Sequence, residues 1–316
     1  MNYKTILKKI VSTVITLLLV SFLVFLAFTV ISGDPAISKL GTEATPERLE
    51  ALREEMGLNR PFLVRYFDWL FSFIGGDMGE SYSYGIPVSE MILDKLPITF
   101  TMTVLAFVMV VAISIPLGIY AARHQGGKID RAIIIMNQMI MSVPPFFAGI
   151  LITVVFGVVL KLFTPGGYVS YSQNFGGFLV YLIFPSFAIA LPKAAMSMKL
   201  LRSSLIEQSA LDYTRTAYSR GNTTKDVLYK HVLQNAMIPV VTFLGMALAD
   251  IFTGSIIIEQ VFNIPGIGRI LLTSISNRDY PVVMAIIILL AFAVIVINFL
   301  VDIIYNIIDP RIRGTE

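Results

Sequence analysis

Few side chains in this sequence are of the types and spacings that make or break bonds. No Gly-x-x-x-x-Gly-Lys-Ser/Thr phosphate loop occurs, so the chain is not expected to bind or hydrolyse ATP itself. His-Glu-x-x-His, Gly-x-Ser-x-Gly and calcium-loop patterns are also missing. With no cysteine there is no disulfide, thiolate metal site or thiol nucleophile. His124 and His231 are the only histidines. Both fall in polar loops, where surface histidines with helical or capping neighbours explain them better than a metal site does. Two features stand apart. Asp250 lies inside an apolar run, where a carboxylate is costly and usually faces a partner or water. It either lines a hydrophilic path or makes a structural hydrogen bond to a neighbouring helix. Ser142-Val143-Pro144-Pro145 interrupts another apolar run, as a hinge or as a static kink; Ser142, Pro144 and Pro145 join Asp250 as candidate path or gate residues.

The most organised polar stretch is Arg202 to Thr242. Ser203 to Tyr218 lacks proline and glycine, with Leu205, Ile206, Ser209, Tyr213 and Ala217 at helical spacing. Gly221 is a helix stop, and Thr224 is the expected cap of a second helix with Asp226 in its first turn. Helix, glycine, helix between apolar runs reads either as an amphipathic hairpin on a bilayer surface or as a rigid lever gripped by a soluble partner.

The elements that must position these residues are membrane spans. The chain is 56% hydrophobic and 14% charged, with a mean hydropathy of +0.78, whereas soluble domains average about 25% charged residues. Ile10 to Ile31 is a 22-residue uncharged run, long enough for a hydrocarbon core of about 30 Å, and it follows Lys4, Lys8 and Lys9. It is too long for a signal-peptide core and reads as a retained first span. Further spans are expected over Pro97–Ala122, Ala132–Leu160, Phe178–Leu200, Pro239–Ile258 and Pro281–Val301. Lys193 to Ile238 holds seven bases against three acids, and Arg123, Lys128 and Arg131 mark another basic turn. Six spans with both termini cytoplasmic satisfy the positive-inside rule at every loop. Outside Asp250 the charges gather at span ends. That argues against a self-sufficient secondary transporter, which needs several buried ionisable groups.

The segment after the first span, Ser32 to Lys95, carries eleven acids against six bases and belongs on the outer face. Thr45-Pro46-Glu47 reads as a capped helix start and Gly57 as its stop. Phe62 to Phe73 is aromatic-rich and suits a membrane interface. The expected division is 1–31 as cytoplasmic start and first span, 32–96 as extracytoplasmic segment, and 97–316 as a five-span core containing a cytoplasmic loop at 202–238.

At that loop the chain resembles the permease subunits of ABC importers, in particular the dipeptide/oligopeptide/nickel branch. Of the general importer loop pattern, Ala217, Gly221 and Leu233 match, while the glutamate, first alanine, isoleucine and proline do not. The branch's own version is closer: Asp212-Tyr213-Thr214-Arg215-Thr216-Ala217, then His231, Leu233, Asn235-Ala236 and Pro239. Tyr218-Ser219-Arg220 departs from it. Ser32-Gly33-Asp34-Pro35-Ala36, Gly57-Leu58-Asn59-Arg60-Pro61, Gly75 to Ser81, Pro265-Gly266-Ile267-Gly268 and Asp309-Pro310-Arg311-Ile312-Arg313 are similar to further branch signatures.

The resemblance implies an all-α type I importer permease fold, the B-type member of a permease pair, in a bacterial or archaeal plasma membrane. It implies a second permease, two cytoplasmic ATPases carrying ATP and magnesium, and an extracytoplasmic substrate-binding protein. The cargo would be peptides or, alternatively, nickel chelates. No cofactor in this chain and no nucleic-acid partner is implied. Carried over residue by residue, Asp212, Tyr213, Arg215, Thr216, Ala217, Gly221 and His231 would couple this subunit to the ATPases.

Overall fold

The computed structural model describes residues 3–31, 35–40 and 45–308. The motifs at Ser32-Gly33-Asp34 and Asp309–Arg313 lie outside them. Among the described residues the structure is helical, with a single isolated bridge between Glu80 and Pro87 in place of any strand. The helices are α1 (Tyr3–Ile31), α2 (Pro35–Leu40), α3 (Pro46–Glu55), α4 (Phe62–Ile74), α5 (Val88–Leu93), α6 (Leu96–Arg123), α7 (Lys128–Met141) and α8 (Pro145–Ile152). They continue as α9 (Phe175–Ser209), α10 (Asp212–Ser219), α11 (Thr224–Asp226), α12 (Leu233–Val261), α13 (Ile267–Ser276) and α14 (Tyr280–Ile308). Five stretches are long and apolar enough to cross a membrane: Leu7–Val30, Val88–Arg123, Phe175–Ser209, Thr224–Val261 and Tyr280–Val301. The α7–α8 pair makes a sixth if it is one broken span.

The chain forms two compact units. One comprises Ile98–Ile264 and the residues from Ile297 onward. Its centre is the packing of α9 on α12, with α8 lying against both and α7 against α9. Met102, Ala106 and Val110 of α6 join Leu182, Ala190 and Leu201 of α9 and Ala236, Ile251 and Ile258 of α12 in one buried cluster. Small residues allow this approach. A Cβ on Gly118 would sit 3.0 Å from the Leu201 side chain, and one on Gly149 would meet Phe262 at 3.2 Å. Gly254 is different: a Cβ there would meet nothing within 4 Å.

Pro116, Pro185, Pro192 and Pro239 all lie within helices. Ser142 to Pro145 behaves differently. The two prolines withdraw adjacent backbone donors, and α7 and α8 meet there at 103°.

The second unit comprises Asn2–Pro97 and Pro265–Val296. It is held by aromatic packing: Phe25, Tyr66, Leu70 and Met284 are buried, with Phe22, Phe62 and Trp69 around them. Phe22 stands edge-on to Tyr66 at 5.3 Å, and the Tyr66 and Ser21 hydroxyls share a 2.8 Å hydrogen bond. Such ring pairs contribute roughly 0.5–1.5 kcal/mol each beyond area burial. The expected α3 start is present: Pro46 opens the helix and the Thr45 hydroxyl accepts from the Arg48 amide. Gly57 lies just past its end with φ +64°.

Three expectations need correction. α9 does not stop near Leu200; nothing there breaks a helix, so it runs nine residues further, to Ser209. The cap beyond Gly221 is Thr223, whose hydroxyl accepts from the Asp226 amide at 3.2 Å, one residue before the expected Thr224. The residues beyond this cap do not form a separate loop helix: α11, a wide π turn over Val227–Val232 and α12 run on from one another, and Pro239 lies inside α12. In addition, the stretch after Val261 contains a ten-residue helix, α13, that buries Ile267, Leu271 and Ser274 on one side.

Candidate functional site

The loop at 202–238 reduces to one free-standing helix, α10, between the C-terminal end of α9 and the π turn that leads into α12. Its seat is specific. Gln208, near the end of α9, receives two hydrogen bonds from α10: Thr214 Oγ1 donates to its backbone carbonyl and Tyr213 OH to its side-chain oxygen, both at 2.9 Å. Thr214 and Ala217 are buried, and Ala217 shares a cluster with Leu205, Val227, Val232 and Ala236. The far end is closed by Gly221 at φ +84°, whose amide donates to the Tyr218 carbonyl at 2.9 Å. The Asn222 side-chain amide donates to the Ala217 carbonyl at 3.0 Å. Together these bonds satisfy carbonyls that a helix end leaves without partners.

The opposite face of α10 is open. Leu211, Asp212, Arg215, Thr216 and Tyr218 are exposed. Asp212 and Arg215 form only a loose pair, 3.6 Å apart, with side chains 96% and 79% exposed. A pair of that kind contributes at most a few tenths of a kcal/mol and is readily exchanged for other partners. The predicted residues therefore divide by role. Tyr213 and Ala217 seat the helix, Asp212, Arg215 and Thr216 face outward, and Gly221 reverses the chain. His231, half-buried, lies on the π turn that packs against α10.

Sequence reasoning missed a buried ion pair in this unit. Asp130, in the first turn of α7, is bound by Arg202 of α9 through two hydrogen bonds of 2.6 and 2.7 Å, and the Gly126 amide adds a third at 2.9 Å. Its side chain is 2% exposed and that of Arg202 is 19%. Arg202 lies seven residues before the end of α9, so the clamp holds that helix about 10 Å from the end that leads into α10. The sequence showed Asp130 only as one acid in a basic turn, because its partner lies 72 positions away.

Of the path or gate candidates, Asp250 pairs with Lys193 of α9 at 2.5 Å, with both side chains partly exposed. Ser142 donates to the Gln138 carbonyl, and Pro144 and Pro145 are exposed at the α7–α8 break. A second intramembrane carboxylate went unnoticed. Glu259, expected to open an outer loop, is fully buried within α12 and accepts a 2.5 Å hydrogen bond from Thr99 of α6. The signal was its position one turn beyond Ser255, still in helical register with the span. Among the described residues no group of three or more His, Asp or Glu side chains could hold a metal ion.

Comparison with known proteins gives this arrangement a family. Residues 114–314 match the family described as "Binding-protein-dependent transport system inner membrane component", and residues 2–103 match its N-terminal counterpart. An oligopeptide transport system permease protein of Bacillus subtilis is 34% identical over 311 residues, covering 98% of each chain. A glutathione transport system permease protein of Salmonella typhi is 34% identical over 313 residues, covering 99% of each. A permease of Sinorhizobium fredii is 34% identical over 308 residues, again covering 98% of both. The chain belongs to the binding-protein-dependent transport system inner membrane components: it is a multi-pass permease subunit of an ABC importer.

Proposed function

We propose that this chain forms one half of the translocation path of an ATP-driven peptide importer. A second, homologous permease supplies the other half. Two cytoplasmic ATPases bearing ATP and magnesium drive it, and an extracytoplasmic binding protein delivers the cargo. Both termini and α10 lie on the cytoplasmic side, as the basic turns at Arg123–Arg131 and Lys193–Lys230 favour. Peptide cargo is supported by the relatives named for oligopeptide and glutathione transport, both of which span almost the whole chain.

The observation that carries the reading is the two-sided build of α10. One face is anchored by Thr214, Ala217 and the Gln208 bonds, and the other is exposed and held by interactions weak enough to yield to a partner. A helix fastened to α9 and α12 turns a push on its outer face into movement of both spans, and the same residues on a floppy loop would absorb it. Closure of the ATPases on ATP carries α10 inward, and the spans rock between inward- and outward-open states. This subunit makes and breaks no covalent bond.

The test is uptake of labelled tripeptides into vesicles holding the chain alone or with its four partners. Uptake is expected only with the complete set and ATP. Uptake by the chain alone would replace this reading with a self-sufficient transporter.

A further inference from the structure

The second unit holds a cavity of about 520 Å³ whose chemistry the helix-coupling scheme does not use. Helices α1, α4 and α14 and the loop after Gly75 converge on it. Its apolar wall is Phe25, Phe28, Trp69 and Met284. Around the wall stand Arg60 and Arg65 with Glu55, Asp68 and Glu80. Mostly apolar lining with a few convergent charges, at several hundred cubic ångströms, is the common form of a small-molecule site.

The two arginines differ. Arg60 is already engaged with Asp68 at 3.2 Å. Arg65 is half-buried, and no carboxylate among the described residues pairs with its guanidinium. Its field reaches Tyr82, on the loop lining the cavity: burial pushes the Tyr82 phenol up to about 12, Asp279 adds to the rise and Arg65 opposes it. That loop is stapled. The fully buried Asp279 accepts hydrogen bonds from the Ser81 hydroxyl and from the amides of Tyr82 at 3.0 Å and Ser83 at 3.3 Å. A half-buried guanidinium with no ion-pair partner among the described residues, on a preformed wall beside aromatic rings, is suited to a carboxylate attached to an apolar body. Glu55 and Glu80 give the same cavity places for an ammonium group.

We propose that this cavity binds a short zwitterionic peptide, its C-terminal carboxylate on Arg65 and an apolar side chain against Trp69. The site lies where the acidic segment expected on the outer face packs on α1 and α14, so it would hold cargo before entry to the spans. In that respect it rests on the peptide-importer reading above.

Trp69 is the single tryptophan of the chain, so its emission reports directly on occupancy. The experiment titrates the purified full chain in nanodiscs with alanyl-phenylalanyl-alanine, with the same peptide amidated at its C-terminus, and with decanoate. The free peptide is expected to give a saturable change in Trp69 emission. Amidation, Arg65→Gln, or exchange of the peptide for decanoate should each raise the midpoint at least tenfold, and Arg65→Lys should recover part of the loss. No saturable change overturns the proposal, as does equal binding of the acid and amide or equal binding of decanoate. ATP-driven uptake by the assembled complex, measured in parallel, separates the two readings. Uptake without a Trp69 response removes the cavity site alone, whereas a Trp69 response without peptide uptake removes the importer reading and leaves the site.

Discussion

Asp130→Asn should destabilise the permease core by about 3 kcal/mol. The asparagine keeps the size of the aspartate but cannot neutralise Arg202, which loses its counter-charge and one of its two acceptors and faces an NH2 donor in its place. Removing one partner of a buried ion pair costs roughly 3–5 kcal/mol, and the lower figure applies because the 19% exposure of Arg202 lets water reach it. A loss of about 3 kcal/mol shifts a folding equilibrium roughly a hundredfold. Arg202→Met should cost a comparable amount by stranding the carboxylate. The double variant strands neither charge, so it should be little worse than either single, with a coupling energy of about 2 kcal/mol or more. Unfolding of the purified chain in mixed micelles against rising SDS, followed by circular dichroism, gives the cycle. Single costs that add within about 0.5 kcal/mol in the double variant would refute the clamp.

The geometry sets three further outcomes. Asp279→Asn places an amide group among donors at Ser81, Tyr82 and Ser83, and should cost about 2 kcal/mol, with faster hydrogen exchange at the Tyr82 and Ser83 amides. Ala217→Phe overfills a site that is 6% exposed; about 1–3 kcal/mol of strain should unseat α10, and substrate-stimulated ATPase activity of the complex should fall with the permease still inserted. Gly221→Ala meets no neighbour within 4 Å, so its cost should be the backbone term alone, about 1–2 kcal/mol in the thermal stability of the chain.

Much of the architecture was legible because its causes are local. The long apolar runs, the Thr45-Pro46 helix start and the break at Pro144-Pro145 depend on residues adjacent in the chain, and each is present. Boundaries failed where charge was taken for a helix end. Arg202 and Glu207 continue α9, since a charged residue at a span terminus does not oppose helix formation. The same assumption placed Glu259 in a loop, although α12 carries it on to meet Thr99. The short helix closed by Gly221 was recognisable as helical sequence, but Gln208, which fastens it, carries no signal of its own. Its hydrogen bonds exist only after α9 and α10 have turned at Ala210. The Asp130–Arg202 clamp and the Asp279 staple join positions 72 and about 200 apart, and neither partner looks unusual in its local sequence.

The central claim is that the outer face of α10 is the ATPase contact. The chain has no native cysteine, so Tyr218→Cys introduces a unique thiol on that face, where the side chain it replaces is 46% exposed. Its rate of modification by a water-soluble maleimide is measured in the purified permease pair and again after the ATPases are added. Protection of at least tenfold in the assembled complex is the predicted result. An unchanged rate would place the contact elsewhere and contradict the account.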